Sequence, residues 1–308
     1  MNNKFNYAEK VQMAKKALTG PIASVSVPFL RDGQIDYDSL RSSVDFDVEH
    51  GSGTILLTYG DSLYSILTDK EITEISRVVV EQTAGRAMTC VAGRWWMGEC
   101  IRFAQYAYEL GADMYMALPP NWANSATAAG IAEFYTQISK EIPTMVVTSL
   151  DPAPVPFESI KMLLEGDNGV VALKDDKCGV YGKQVATLLD GAWGFLSGGR
   201  KINHLEQHPY KIDGYLSCYM RFCPQIAHRY WDAIVADDIR AATKIIQDYD
   251  MPYFDELIPK TGLDFDAVIH ASMEIFGVSQ RWRRIPYASA TDAQMDIIRS
   301  FFVDKKLL

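Results

Sequence analysis

Eight short apolar runs, separated by stretches of helical periodicity, constrain this 308-residue chain more than any other feature. They fall at residues 22–27, 54–58, 88–92, 114–118, 144–148, 170–173, 193–196 and 214–217. Several are continuously apolar rather than alternating, the pattern of parallel strands covered on both faces. Amphipathic segments lie among them at 36–50, 68–83, 98–110, 127–140, 157–164 and 180–189. Strand and helix alternating in this way predict an α/β fold, a (β/α)8 TIM barrel, which commonly needs about 250 residues. Past Ser217 the chain reads almost wholly helical, with apolar residues three and four apart over 222–236, 238–251, 267–276 and 291–302. That is more helix than an eighth barrel unit requires. The predicted organisation is an N-terminal helical segment over 1–19, a barrel over 20–236 and a C-terminal helical extension over 237–308. The extension should pack at a subunit interface or over the barrel mouth.

Charge and cysteine usage narrow the partners. With 39 acidic and 30 basic side chains the net charge is −9, which gives no general attraction to nucleic acid or anionic lipid. A pocket can still carry its own local charge. The five cysteines are scattered and form no C-x-x-C pair, as in a reduced, intracellular protein. The first twenty residues lack the apolar core of a signal peptide, and no apolar run approaches the ~20 residues of a membrane span. A cytoplasmic protein acting on small molecules is the expectation.

In a barrel, chemistry sits where strands end and loops begin. Lys174 closes the run Val170-Val171-Ala172-Leu173, which places its amine in the barrel mouth. An ordinary lysine is neutral about once in 2,500 molecules at pH 7. Apolar walls disfavour an ammonium and favour the nucleophilic amine. An ion pair with Asp175 or Asp176 at a helix start explains the same residue equally well. Ser197, Gly198 and Gly199 follow the seventh run; the glycines permit close backbone approach to a ligand, or simply make a tight turn. Arg94 beside Trp95 and Trp96 can hold a carboxylate or phosphate, or belong to a subunit interface. His204 and His208 stand one helical turn apart, but not in the H-E-x-x-H order of a zinc helix, and no metal site is expected.

Taken in order, these strand ends resemble the dihydrodipicolinate synthase and N-acetylneuraminate lyase family of class I aldolases. The likeness runs from about Gly20 to Pro286. It includes Pro28-Phe29 with Asp32-Gly33-Gln34-Ile35-Asp36, the stretch from Gly51 to Leu67-Thr68-Asp69-Lys70-Glu71, Ala92-Gly93, Gly111-Ala112-Asp113, Leu196-Ser197-Gly198, Asp213-Gly214 and Arg283-Arg284-Ile285-Pro286. The stretch from Val170 to Asp175 matches the strand that bears the family's Schiff-base lysine, so the resemblance gives Lys174 that role. It also implies no metal or organic cofactor, a small carbonyl substrate such as a 2-keto acid or keto-sugar derivative, and a homo-oligomer, dimer or tetramer.

The departures are as informative as the matches. The family's second-strand loop carries two threonines that help hold a 2-keto acid carboxylate; here Gly60, Asp61 and Ser62 stand there. A carboxylate ~4 Å from a substrate carboxylate costs up to about 4 kcal/mol at an effective dielectric near 20. Unless Arg94 or another cation compensates, pyruvate should bind poorly in the usual pose; Asp61 can instead accept from a polyol hydroxyl or act as a general base, or else merely cap the following helix, as Ser62 also can. The fifth strand ends Val147-Thr148-Ser149 without the family's proton-relaying tyrosine, and Asp151-Pro152 lacks its arginine. Asn121 and Trp122 replace a tyrosine pair after the fourth strand. Tyr59, Tyr64 and Tyr219 lie near strand ends and are candidate replacements. The expected activity is that of a carbon–carbon or carbon–oxygen lyase centred on Lys174, with Gly60, Asp61, Ser62, Arg94, Thr148, Ser197 and Gly198 around the substrate. The alternative is a barrel that has lost the proton relay and binds a small molecule without turnover. A metal-assisted hydrolase is opposed by the lack of strand-end histidine clusters.

Overall fold

The computed structural model describes residues 5–120, 125–149 and 153–308. Eight parallel strands close into a barrel in chain order, with the first paired to the last. They are β1 (Gly20–Ser24), β2 (Thr54–Leu56), β3 (Met88–Arg94), β4 (Met114–Leu118), β5 (Thr144–Val147), β6 (Val170–Asp175), β7 (Gly194–Ser197) and β8 (Gly214–Leu216). The predicted TIM barrel is the fold. Inward side chains fill the barrel while outward ones lie beneath helices, so β4, β5, β6 and β7 are buried at every position. This double burial is why the runs read as continuous rather than alternating.

The outer ring contains α2 (Tyr37–Glu49), α3 (Asp69–Thr83), α4 (Met97–Leu110), α5 (Ala128–Ile138), α6 (Phe157–Glu165), α7 (Gly179–Leu189), α8 (Lys201–Gln207) and α9 (Pro224–Val235), while α1 (Tyr7–Ala17) precedes the barrel. Local chemistry fixes several starts. Asp36 accepts from the Ser39 amide to cap α2, and Thr68 with Glu71 forms a reciprocal capping box on α3. Glu71 also pairs with Arg284 at 2.8 Å, which holds its carboxyl down at about 2 and pins the distant Arg283-Arg284 segment to α3.

Most strand ends differ from the sequence reading by one to three residues, and three elements differ for a physical reason. β1 begins at Gly20 rather than at residue 22, and uninterrupted burial from Gly20 to Phe29 gives no alternation that could fix its ends. The short helix α8, which the sequence reading did not list, ends at Gln207, two residues before Pro209, where a proline limits any helix. The helix expected over 238–251 is α10 (Ile239–Ile245) running into π-helical turns at Ile246–Asp250 and Pro252–Leu257 and then α11 (Ile258–Thr261). With α12 (Phe265–Ile275) and α13 (Asp292–Asp304) this segment forms a second apolar core around Tyr219, Phe222, Tyr253 and Phe302. A buried ion pair between Lys201 and Asp250, 2.6 Å apart, joins α8 to the π-helical turns. No helix among the described residues is long and apolar enough to cross a membrane.

Two histidines are locked inside this helical core. His204 Nδ1 lies 2.8 Å from the Tyr230 hydroxyl, which itself donates to the Lys201 carbonyl, so the imidazole donates to Tyr230. Burial, with a smaller contribution from His208, pushes His204 down to about 3. Burial and then the nearby Arg283 and Arg221 push His270 down to about 3 as well. Between pH 6.5 and 3 the unfolded chain therefore takes up protons that the fold refuses, and stability falls as pH drops through that window. At pH 5 the expected loss is about 2 kcal/mol per histidine. Asp266, raised to about 6 chiefly by burial and then by Asp61, works in the opposite direction. His270→Leu should accordingly lose about 2 kcal/mol less than wild type between pH 7 and 5. Urea midpoints at the two pH values, with equal slopes in both proteins, would check this; parallel curves would refute it.

Candidate active site

Successive residues of a strand face opposite sides of the sheet. That alternation separates the three residues at the end of β6. Lys174 lines a cavity of about 330 Å3 at the barrel mouth, together with Tyr59, Gly60, Asp61, Arg94, Asp176, Gly198 and Gly199. Its side chain is only 7% exposed, and Nζ donates to Asp176 Oδ1. Of the two acidic neighbours, Asp176 is the partner. Asp175 turns away from the cavity, is fully buried, and accepts from Thr148 Oγ1 at 2.7 Å, from the amides of Lys177 and Cys178, and from Gln207 Nε2 of α8.

Asp175 is therefore the brace of the site. It ties the ends of β5 and β6 to α8 and leaves the Lys174–Asp176 pair on the cavity side. Asp175→Ala strands four donors, of which Thr148 Oγ1 and Gln207 Nε2 are fully buried, and should cost about 3 kcal/mol or more. Thermal or urea denaturation would measure it, and a loss under about 1 kcal/mol would contradict the bracing role. Thr148 belongs to the same brace: its hydroxyl donates to Asp175 and accepts from the Asp176 amide at 2.9 Å, and the residue is fully buried.

The loop after β2 divides similarly. Ser62 is fully buried; its hydroxyl donates to the Val25 carbonyl at 2.6 Å and accepts from the Thr58 amide at 3.0 Å. It fastens the turn to the chain beyond β1, leaving Gly60 and Asp61 on the cavity wall. The Asp61 carboxylate accepts from Ser24 Oγ at 2.6 Å and lies 3.9 Å from Arg221 Nη2. Arg221 also donates to Ser26 Oγ at 2.7 Å and is 3% exposed on its side chain. At that separation an ion pair offsets about 4 kcal/mol at an effective dielectric near 20. Arg221 thus counterbalances Asp61; the sequence reading named Arg94 or another cation only as a condition for such compensation. No spacing rule flags Arg221, which sits in a 3-10 turn after β8.

Arg94 ends β3 on the cavity wall, donates from Nε to the Pro119 carbonyl at 3.2 Å and stands 4.8 Å over the Tyr59 ring. Its neighbours part company: Trp95 packs on Phe103 and donates to Asp69, while Trp96 is 63% exposed. Ser197 is buried at the end of β7, paired in register with Asp175. Gly198 donates its amide to the Asp175 carbonyl at 2.7 Å. A Cβ at Gly198 would lie 2.7 Å from that same oxygen and closer still to the Asp176 carboxylate, so only glycine allows this approach. Of the three tyrosines, Tyr59 lines the cavity; Tyr64 is buried away from it, and the Tyr219 hydroxyl donates to the Tyr249 carbonyl. Asn121, Trp122, Asp151 and Pro152 lie outside the described residues. Among the described residues no three His, Cys, Asp or Glu side chains are grouped to share a metal ion.

The dihydrodipicolinate synthetase family model matches residues 17–301. The chain belongs to the dihydrodipicolinate synthetase family. A relative from Streptomyces coelicolor named as a probable 5-dehydro-4-deoxyglucarate dehydratase is 27% identical over 76% of this chain and 77% of its own length. The 4-hydroxy-tetrahydrodipicolinate synthase of Methanococcus maripaludis is 30% identical over 56% of this chain and 60% of that protein. The crystal structure of N-acetylneuraminate lyase from Fusobacterium nucleatum shares the fold with a TM-score of 0.83 at 14% identity, covering 94% of this chain and 99% of that one. The names carried by this family's members are those of lyases, synthases and dehydratases of small molecules.

Proposed function

We propose that this protein is a lyase of the class I aldolase type that forms a Schiff base between Lys174 and a small carbonyl compound, a 2-keto acid or keto-sugar derivative. The observation that carries the reading is a nearly buried amine on a cavity wall, held by a carboxylate that faces the same cavity. The Lys174 amine attacks the carbonyl carbon, the carbinolamine loses water, and the protonated imine becomes an electron sink. From there either a carbon–carbon bond breaks in aldol cleavage, or a proton leaves the adjacent carbon and a β-hydroxyl departs as water. The dehydratase names among the relatives support the second course. Hydrolysis of the imine returns the amine.

Asp176 is the group we assign to proton transfer in place of the family's tyrosine. It touches Lys174 Nζ, so it can take the ammonium proton before attack and deliver it to the departing hydroxyl. Asp61, steadied by Ser24 and Arg221, is the group we assign to a substrate hydroxyl. A homo-oligomer, dimer or tetramer, accompanies this reading, and light scattering would test it. The function itself is tested by borohydride trapping with a panel of 2-keto acids and keto-sugars, read by peptide mass spectrometry. Reduced adduct on the peptide carrying Lys174 is the expected result. No adduct with any compound sinks the Schiff-base reading and leaves a binding barrel without turnover.

A further inference from the structure

A second cavity, of about 440 Å3, opens beside the lysine cavity and shares Asp61, Gly199 and Leu216 with it. Its far walls are Phe254, Ile258 and Phe265, from the π-helical turns, α11 and the start of α12. Shared walls make the two cavities one path leading from Lys174 out between the barrel mouth and the C-terminal helices. We infer that this chamber holds an apolar substituent, aryl or branched alkyl, borne by the carbonyl compound that condenses with Lys174. The inference rests on the Schiff-base reading above and names the substrate class within it.

The Phe254 and Phe265 rings stack with centroids 5.6 Å apart at 21°, and both remain partly exposed where they line the chamber. The polar groups nearby are largely engaged with one another. The Arg200 guanidinium lies 4.2 Å over the Phe254 ring and pairs with Asp255 at 3.0 Å. Arg221 donates to Ser26 and faces Asp61, which accepts from Ser24. Of the side-chain nitrogens and oxygens of the residues that line this chamber, only Arg221 Nε is buried without a hydrogen-bond partner. The border with the lysine cavity can meet one or two substrate oxygens, at Asp61 and Arg221, and the space beyond them is walled mainly by carbon, with Cys218 and the Arg200 guanidinium the exceptions. A polyhydroxylated tail would give up its water there with little in return. An aromatic or branched tail would bury apolar surface against the two rings.

The test uses the full chain and two 2-oxo acids of similar length, a phenyl-bearing 2-oxobutanoate and a trihydroxylated 2-oxohexanoate. Calorimetry measures both dissociation constants, and borohydride trapping with pyruvate is run in parallel. The phenyl compound should bind at least about tenfold tighter. Phe265→Gln should cut that ratio to about threefold or less, while Phe265→Leu keeps it. Phe254→Gln supplies the same reading should the first variant fold poorly. Equal or tighter binding of the hydroxylated acid, no measurable binding of the phenyl compound, or a ratio unmoved by the Gln variants overturns the inference. The two proposals fail separately. A phenyl preference that the Gln variants abolish, without adduct at Lys174 from any compound, sustains the chamber and removes the Schiff base. Pyruvate adduct without the preference does the reverse.

Discussion

Lys174→Ala loses turnover by about 10⁴-fold or more and loses all borohydride-dependent mass on its peptide. The size follows from what the amine supplies. It is both the nucleophile and, once condensed, the nitrogen that accepts the electron pair of the breaking bond, so no neighbouring group replaces it in part. The substitution should leave the fold standing. Asp176, its ion-pair partner, is 30% exposed and can turn to water, unlike a fully buried charge. Circular dichroism and a thermal transition within a few degrees of wild type would show that the lost activity is chemical. Activity within tenfold of wild type, measured on whichever compound the native protein traps, would remove Lys174 from the mechanism.

Asp176→Asn lowers kcat on the order of 10³-fold while binding of the carbonyl compound changes far less. Asparagine keeps the size of the side chain and can still accept from Lys174 Nζ, but it cannot carry a proton. A carboxylate that only held the lysine in place would show a different signature, a raised KM or a lowered thermal midpoint with the pH dependence of kcat intact. Proton transfer through Asp176 instead requires that the acid limb of the kcat profile flatten in the variant. Asp176→Glu should recover part of the loss. An unchanged acid limb in Asp176→Asn would return the proton-transfer role to Tyr59 or Asp61, both of which line the same cavity.

Lys174 and Asp176 also show how far the sequence could be read. A lysine at the end of a continuously apolar run is a local pattern, and the run placed it at a strand end in the barrel mouth. Which of two adjacent aspartates it touches is not a local matter. Both stand within two residues, and the choice depends on which face of β6 meets the cavity and which meets α8, where Gln207 waits for Asp175. Ser62 and Asp61 divide in the same way, because Val25, Ser24 and Arg221 lie on other strands and loops.

The apolar periods determined the eight strands, most of the helices and the place of Lys174, since burial on one or both faces writes itself directly into residue order. Tertiary structure decided the rest. Closing the barrel from β1 to β8 sets Arg221 beside Asp61, and folding the C-terminal helices over the mouth adds Phe254 and Phe265 to the path from Lys174. Such pairings join segments far apart in the chain, where electrostatic balance and cavity shape depend on distance in space and leave no period in the sequence.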